Sequence, residues 1–345
     1  MSFLPLALGA SSDGASAVVA HGGIVYVAGS TSGALAAQNF GQDDVFVRAY
    51  DSSGNVLWTQ QFGSPQEDEG LGVAADDGGV YVVGRTYGSL FGFQNAGQTD
   101  AFVAKFDTTG HFLWGTQFGT ADVDRALAAA ADGTGVFVAG STGGTLPGQK
   151  SAGDEDGFVV KFDPSGNRLW TRQFGTTGVD RAYGVAVDST GVYVAGRTDG
   201  VFAGQAGAGG IDAFLVKLDA SGSPVWTRQF GTPSDDRGWA VATDATGIYV
   251  AGHTQGSLNG QPYAGSDDAY VAKFDSSGNL IWTSEFGTKR SGFTSGKLTG
   301  GISLLPNEDA FVRRFDTAGN AIWTVQFGTT SPDIGYGVAV DGTGV

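Results

Sequence analysis

The sequence contains no cysteine and only nine prolines among its 345 residues. The lack of cysteine excludes disulfides, thiolate metal sites, iron–sulfur clusters and cysteine nucleophiles. No apolar run approaches the ~20 residues of a membrane-spanning helix, and the N-terminal segment lacks the basic start of a signal peptide. The sequence therefore predicts no membrane insertion.

Basic residues are few, with 19 Lys and Arg against 35 Asp and Glu, which gives a net charge of −16. Because such a surface repels the nucleic acid backbone, we expect no nucleic acid partner. Only three histidines are present, and they occupy non-equivalent places in the sequence pattern. No GxSxG elbow, phosphate-binding loop or nucleophile–base pair is recognisable, so the sequence predicts no catalytic residue.

Glycine is abundant, with 59 residues, which favours tight turns between short strands. The sequence also repeats itself, and a fixed repeat period indicates a repeat architecture. Tryptophan recurs every 56 residues at Trp58, Trp114, Trp170, Trp226 and Trp282, and Trp323 follows after 41.

Each repeat predicts four short strands. Phe102 and Phe106 in the third strand, and Trp114 and Phe118 in the fourth, fall at period two and so share one face of the sheet. Sheets that are apolar on both faces are stable when they stack radially, which leaves only short edges. We therefore predict an all-β fold, a nominally seven-bladed β-propeller with four-stranded antiparallel blades.

The repeated sequence pattern begins in the third strand of one unit and ends in the second strand of the next. Examples are Asp156 to Thr198 and Asp212 to Thr254. In both places it closely resembles the bacterial β-propeller repeat called SBBP. The resemblance implies a seven-bladed propeller of a secreted or surface-attached bacterial protein, and hence an extracellular or cell-surface location. The family carries no established catalytic motif that could be transferred.

We predict a single β-propeller domain over residues 1–345, with repeat units at about 11–63, 64–119, 120–175, 176–231 and 232–287. The sixth unit, 288–328, is 15 residues shorter than the fifth and should lack about two strands. Residues 329–345 and 3–10 would supply a partial closing blade. We expect a weak sector from residue 288 onward, and a chain that is a monomer or part of a larger polypeptide.

Acidic residues recur in the loops that the strand order places on one face of the propeller. Carboxylates in such number could bind calcium, which takes 6–8 oxygen ligands. The candidate ligands are Asp154 and Asp156 in one loop, and Asp267 and Asp268 in another. The alternative is that one Asp per blade caps backbone amides where a strand begins.

Positions that vary between repeats are the best candidates for ligand binding, because the repeated residues are needed for folding. In the first strand of units three to five an arginine precedes a large apolar residue by two positions. These candidate ligand-binding residues are Arg125, Arg181 and Arg237 with Leu127, Tyr183 and Trp239. Stacked rings and guanidinium groups suit an acidic sugar or a carboxylate-bearing peptide. Alternatively, each arginine pairs with a neighbouring Asp.

These observations favour a non-catalytic recognition, adhesion or scaffold module that binds a glycan or protein on the top face. A hydrolase or lyase acting on polysaccharide is the first alternative, but so uniform a repeat leaves few positions for an asymmetric catalytic centre. The second alternative is a structural spacer that binds nothing.

Overall fold

The computed structural model describes residues 12–36, 38–265, 267–287 and 310–327. These residues form β-strands joined by turns and loops, with one short 3-10 turn at Leu258–Gly260, which confirms the all-β prediction. No helix of this part of the chain is long and apolar enough to cross a membrane. By internal contacts the chain divides into two compact units. The first runs to Gly148 and includes Val160–Thr171; the second comprises Gln149–Val159 and the residues from Arg172 onward.

Every complete sheet is an antiparallel meander of four consecutive strands, and each falls within one predicted repeat unit. The first sheet consists of β1 (Asp13–His21), β2 (Ile24–Thr31), β3 (Asp44–Tyr50) and β4 (Val56–Phe62). The second consists of β5 (Asp68–Asp76), β6 (Gly79–Thr86), β7 (Asp100–Phe106) and β8 (Phe112–Phe118). The third consists of β9 (Asp124–Asp132), β10 (Gly135–Thr142), β11 (Asp156–Phe162) and β12 (Arg168–Phe174).

The second unit continues the same pattern. The fourth sheet consists of β13 (Asp180–Asp188), β14 (Gly191–Thr198), β15 (Asp212–Leu218) and β16 (Pro224–Phe230). The fifth consists of β17 (Asp236–Asp244), β18 (Gly247–Thr254), β19 (Asp268–Phe274) and β20 (Leu280–Phe286). A sixth, two-stranded sheet pairs β21 (Ala310–Phe315) with β22 (Ala321–Phe327). These repeated sheets confirm the predicted four-stranded blade. The predicted shortening at 288–309 and the closing blade lie outside the described residues.

Burial follows the strand order within each sheet. Third strands such as β7 and β15 are buried along their whole length, because apolar side chains cover both faces. Fourth strands begin with exposed residues, for example Phe112 and Leu113 in β8, and so form the outer edge of each sheet. Within each unit the core therefore lies mainly between the second and third strands of successive sheets.

The repeated tryptophans lie at equivalent positions on the fourth strands, as predicted. Each packs against the aromatic residue of the second strand in its own sheet; the ring centroids of Tyr81 and Trp114, for example, are 6.2 Å apart. The indole N–H of Trp114 donates a hydrogen bond to the carbonyl oxygen of Pro164, 3.0 Å away in the next turn. Trp58, Trp114, Trp170, Trp226 and Trp282 are half-buried on the outer strand, and Trp323 is exposed.

This link between a tryptophan and the following turn spans 50 residues of chain for Trp58, Trp114 and Trp226. The indole N–H of Trp58 donates to the carbonyl oxygen of Thr108, and that of Trp226 to the carbonyl oxygen of Ser276, each 50 residues later in the chain. Trp282 reaches the carbonyl oxygen of Thr317, only 35 residues ahead. The last hairpin therefore docks as its equivalents do, even though its repeat is shorter by the length that the sequence indicated.

Candidate functional site

Two loops meet at one edge of each sheet, and the name upper edge is used for the edge that carries them. One loop joins successive sheets, and the other joins the second and third strands of a sheet. In the second unit the amide of Asp180 donates to the carbonyl oxygen of Glu155, and that of Asp236 to Ile211, both at 2.7 Å. In the first unit Asp124 and Thr99 are joined in the same way at 2.9 Å. The predicted pairing of these loops is thus confirmed.

The recurring aspartates of the upper edge serve as caps. The Oδ2 atom of Asp180 accepts hydrogen bonds from the amide and hydroxyl of Thr176, at 2.6 and 3.0 Å. Asp156 Oδ2 accepts from the amide of Ala152 and the side-chain amide of Gln173, at 2.8 and 2.7 Å. The same two patterns recur through Asp68, Asp124 and Asp236, and through Asp44, Asp100 and Asp212. The capping alternative is therefore confirmed for these residues.

Burial shifts the ionisation of the caps. It raises the pKa of Asp180 to about 6, opposed by hydrogen bonds from Thr198 and Thr176 and reinforced by the nearby charge of Asp156. Burial likewise raises the pKa of Asp68, Asp124 and Asp236.

The four candidate metal ligands divide into two kinds. Asp156 and Asp268 are buried caps, and Asp268 accepts the amide of Ala264 at 2.6 Å. Asp154 and Asp267 are exposed, and Asp267 accepts the side-chain amide of Gln255 at 2.9 Å. The described residues contain no cluster of three or more His, Asp or Glu side chains that could hold a metal ion. Calcium binding stays a prediction.

The variable position of each first strand is the extra residue of a β-bulge. In β13 the register shifts between Ala182 and Gly184, so Tyr183 has no partner on β14, and Trp239 is the extra residue of β17. A bulge redirects its side chain and so interrupts the simple alternation assumed from the sequence. The two rings meet, with centroids 4.4 Å apart and planes inclined by 39°. Both are half-buried; Tyr183 and Trp239 are called the aromatic pair below.

Arg181 is held by a carboxylate, as the alternative interpretation predicted, although the partner is a glutamate. Its Nε and Nη2 atoms donate to Glu155 Oε2 at 2.9 and 2.7 Å. The Glu155 side chain is 11% exposed, so solvent screens the pair only weakly. The guanidinium also interacts with the hydroxyl of Tyr183. Arg181 therefore lies beside the aromatic pair in a fixed orientation.

Arg237 and Trp239 both contact the imidazole of His253. The Trp239 Nε1–H donates to His253 Nδ1 at 2.8 Å, and Arg237 Nη1 lies 2.9 Å from Nε2. A neutral imidazole has one acceptor nitrogen, so only one of the two contacts can be a hydrogen bond at a time. Burial and the charge of Arg237 lower the pKa of His253, against the opposing charges of Asp267 and Asp235. Asp235 Oδ2 accepts Arg237 Nη2 at 3.3 Å.

Arg125 and Leu127 belong to the first unit. Leu127 is the bulge residue of β9, as Leu71 is of β5, whereas the bulges of β13 and β17 carry an aromatic ring. Burial opposes the ionisation of Glu69, but hydrogen bonds from Arg85 and Glu67 and the charges of Arg85 and Arg125 lower its pKa overall. Of the six predicted ligand-binding residues, the structure brings together Arg181, Tyr183, Arg237 and Trp239 in the second unit.

The segment around Arg181 and Tyr183 matches a known family model. Residues 169–203 match the model described as SBBP: Beta-propeller repeat, from the outer strand β12 through β13 and β14. This segment is therefore similar to the SBBP repeat. The resemblance seen in the sequence is thus confirmed, and the SBBP match includes two of the four residues that meet at the upper edge.

Relatives of the chain are distant or longer than it is. Regulatory protein FlaEY of Caulobacter vibrioides is 30% identical over 210 residues, which cover 53% of this chain and 22% of that protein. The chain therefore spans about a fifth of the length of the curated relative that it matches. The parainfluenza virus 5 hemagglutinin-neuraminidase ectodomain is 9% identical, with a TM-score of 0.43 over 81% of this chain and 73% of that one. Rhamnogalacturonan lyase YesW is 15% identical, with a TM-score of 0.40 over 92% and 64%.

Sequence reasoning missed three residues at or beside this site: Glu155, Arg197 and His253. The last two occupy the seventh position of the second strand, opposite the variable arginine of the first strand. A signal for them was present, because this position varies between sheets as the ligand-binding candidates do: Ser30, Arg85, Ser141, Arg197 and His253.

Proposed function

We propose that this chain is a non-catalytic recognition module that binds a glycan at the upper edge of its second unit. The proposal rests on one observation, the contact of Tyr183 with Trp239 at bulge positions that no other pair of described sheets fills with two aromatic rings. A half-buried ring pair offers an apolar surface to the C–H face of a sugar ring.

Polar groups beside the aromatic pair suit the hydroxyl groups of a sugar. Arg181 and Glu155 form a paired donor and acceptor on one side, and Arg237, Asp235 and His253 do so on the other. Because these side chains are already fixed by one another, little conformational entropy is lost when a ligand binds. A few directional polar groups around an apolar surface are typical of small-ligand sites.

The proposal includes the location implied by the repeat, which is extracellular or on a cell surface. There a module of this kind would recognise a glycan of its surroundings. The uniform repeat supports the non-catalytic part of the proposal, because it leaves few positions for an asymmetric catalytic centre.

A glycan array with the purified chain and two variants tests the proposal. Trp239→Ala should abolish any signal that the wild-type chain gives, because it removes half of the apolar surface. Leu127→Ala is the matched control, since Leu127 holds the equivalent bulge position in the first unit. It should leave binding unchanged, and melting curves should show that both variants are folded.

The proposal fails if no glycan binds, or if a folded Trp239→Ala variant binds as the wild type does. A peptide array run in parallel would show whether the ligand is a protein instead. Turnover of a polysaccharide panel would contradict the non-catalytic assignment, and loss of that turnover in Trp239→Ala would place an enzyme at the same site.

A further inference from the structure

Arg197 differs from the other arginines near the aromatic pair in having no acidic partner. Arg181 is bound by Glu155, and Arg237 lies 3.3 Å from Asp235. Arg197 forms no ion pair with any residue that the structure describes, and its buried Nε atom has no hydrogen-bond partner among them. A half-buried guanidinium in this state has lost part of its hydration without gaining a partner.

The strand register adds electrostatic repulsion to the cost of leaving Arg197 unpaired. The Cα partner of Arg197 on β13 is Arg181, so two cations stand directly opposite each other. Like charges at opposed positions destabilise a sheet. The equivalent pairs in other sheets avoid the repulsion, since Glu69 faces Arg85 and Arg237 faces His253. Arg181 is paired with Glu155, whereas no described residue forms an ion pair with Arg197.

The same register gives the position of Arg197 relative to the aromatic pair. Arg197 holds in β14 the place that His253 holds in β18, and His253 is in contact with the bulge residue of its own sheet at 2.8 Å. By this equivalence Arg197 belongs beside Tyr183, on the opposite strand.

We propose that Arg197 recognises the anionic group of the ligand, and that the ligand is an acidic glycan that carries a uronic acid carboxylate. This inference rests on the proposed function and names the class of glycan. The planar guanidinium fork matches a carboxylate with two parallel hydrogen bonds, and a bound carboxylate would also offset the repulsion between Arg197 and Arg181. The net charge of −16 supplies no long-range attraction for an anion, so recognition depends on this local cation.

Two trisaccharides serve as probes, one of galacturonic acid and one of galactose, because only the first carries carboxylate groups. Their affinities are measured by titration calorimetry against the whole chain. The wild type should prefer the acidic probe by tenfold or more. Arg197→Gln should reduce affinity for the acidic probe about 10- to 100-fold, the range for a hydrogen bond between charged groups, and should leave affinity for the neutral probe nearly unchanged.

Arg172→Gln is the matched control, because it makes the same change of charge on the outer strand β12, where Arg172 donates to the carbonyl oxygen of Gly222. It should not alter the preference for the acidic probe. Arg197→Lys should retain part of the preference, since a lysine keeps the charge but not the fork. Arg197→Gln should melt at the wild-type temperature or above it, because it removes an unpaired, opposed charge.

Several results would overturn the inference. One is binding of the acidic probe that Arg197→Gln does not weaken, and another is a wild type that prefers the neutral probe; both leave the glycan-binding proposal intact. A large fall in the melting temperature of Arg197→Gln would show that the residue is structural. Absence of binding by either probe also counts against it, and the array with Trp239→Ala then decides whether the module binds glycans at all.

Discussion

The ring of Phe91 lies directly against Gly115, on the outer strand of the second sheet. A Cβ atom placed on Gly115 would lie 2.7 Å from the ring, which is closer than real contacts allow. Phe91 adopts a φ of 57°, in the left-handed region that favours glycine, and its ring stacks on Phe112 with centroids 5.5 Å apart. In the other four-stranded sheets the residue equivalent to Gly115 is threonine, at Thr59, Thr171, Thr227 and Thr283.

Restoring threonine at this position should therefore destabilise the chain. We expect Gly115→Thr to lower the free energy of unfolding by about 1–3 kcal/mol, the usual cost of overpacking. The double variant with Phe91→Ala should lose less than the sum of the two single changes, because the clash disappears with the ring. Urea unfolding of all four proteins measures the coupling. Additive losses would show that the two residues do not interact.

The contact between Glu285 and Asp268 should make the stability of the chain depend on pH. In the first sheet the side-chain amide of Gln61 donates to Asp44 Oδ2 at 2.8 Å, and Gln117, Gln173 and Gln229 repeat this contact. The fifth sheet has Glu285 instead, which accepts the amide of Leu258 at 2.8 Å and faces Asp268. Burial, together with the nearby charges of Asp268 and Asp236, raises the pKa of Glu285 to about 7.

Because the folded chain favours protonated Glu285, its contribution to stability is fully present below the ordinary pKa and is lost as the pH rises through about 7. Glu285→Gln should leave stability unchanged near pH 4 and raise it at pH 8 by about 1–2 kcal/mol, after allowance for solvent screening. Melting curves from pH 4 to 8 measure the difference. Gln229→Glu places a glutamate at the equivalent position of the fourth sheet and should lower stability at pH 8. If the melting temperatures of the wild type and both variants changed with pH in parallel, Glu285 would not be the source of the pH dependence.

The outer tryptophans should contribute to stability through packing and through the indole hydrogen bond. Trp114→Phe keeps the contact with Tyr81 but loses the bond to Pro164, and should cost about 1 kcal/mol. Trp114→Ala should cost about 3 kcal/mol, because the packing is lost as well. Chemical denaturation of the two variants separates these contributions. Equal losses would mean that packing contributes nothing.

Removal of divalent cations should leave the fold unchanged. The carboxylates of Asp156 and Asp268 are used to cap backbone amides, so we expect a chelator to shift the melting temperature by less than ~1 °C. Scanning calorimetry with and without calcium measures this. A calcium-dependent rise of several degrees, lost in an Asp154→Asn variant, would instead support the metal site predicted from the sequence.

The sheets could be predicted from the sequence because the signals for strands and turns are local and recur in every repeat. The aspartate-to-glycine turns and the alternating aromatic residues mark each strand within a few positions. The partners of the arginines could not be predicted in this way. Glu155 lies 26 residues before Arg181, and their contact depends on how two loops meet and how far two long side chains reach. The bulge that redirects Tyr183 also leaves no trace in the spacing of residues.

The contact between each outer tryptophan and the following turn has a consequence for how the chain is made. Since Trp58 and Trp114 bind carbonyl oxygens only 50 residues further on, a sheet gains its outer contact as soon as the next repeat has emerged from the ribosome. These contacts join segments that are close in sequence, so they can form in the order of synthesis. Contacts of short sequence separation favour fast folding. Neighbouring repeats of similar sequence would otherwise compete for the same partners, and vectorial synthesis lets each turn bind the tryptophan made in the preceding repeat.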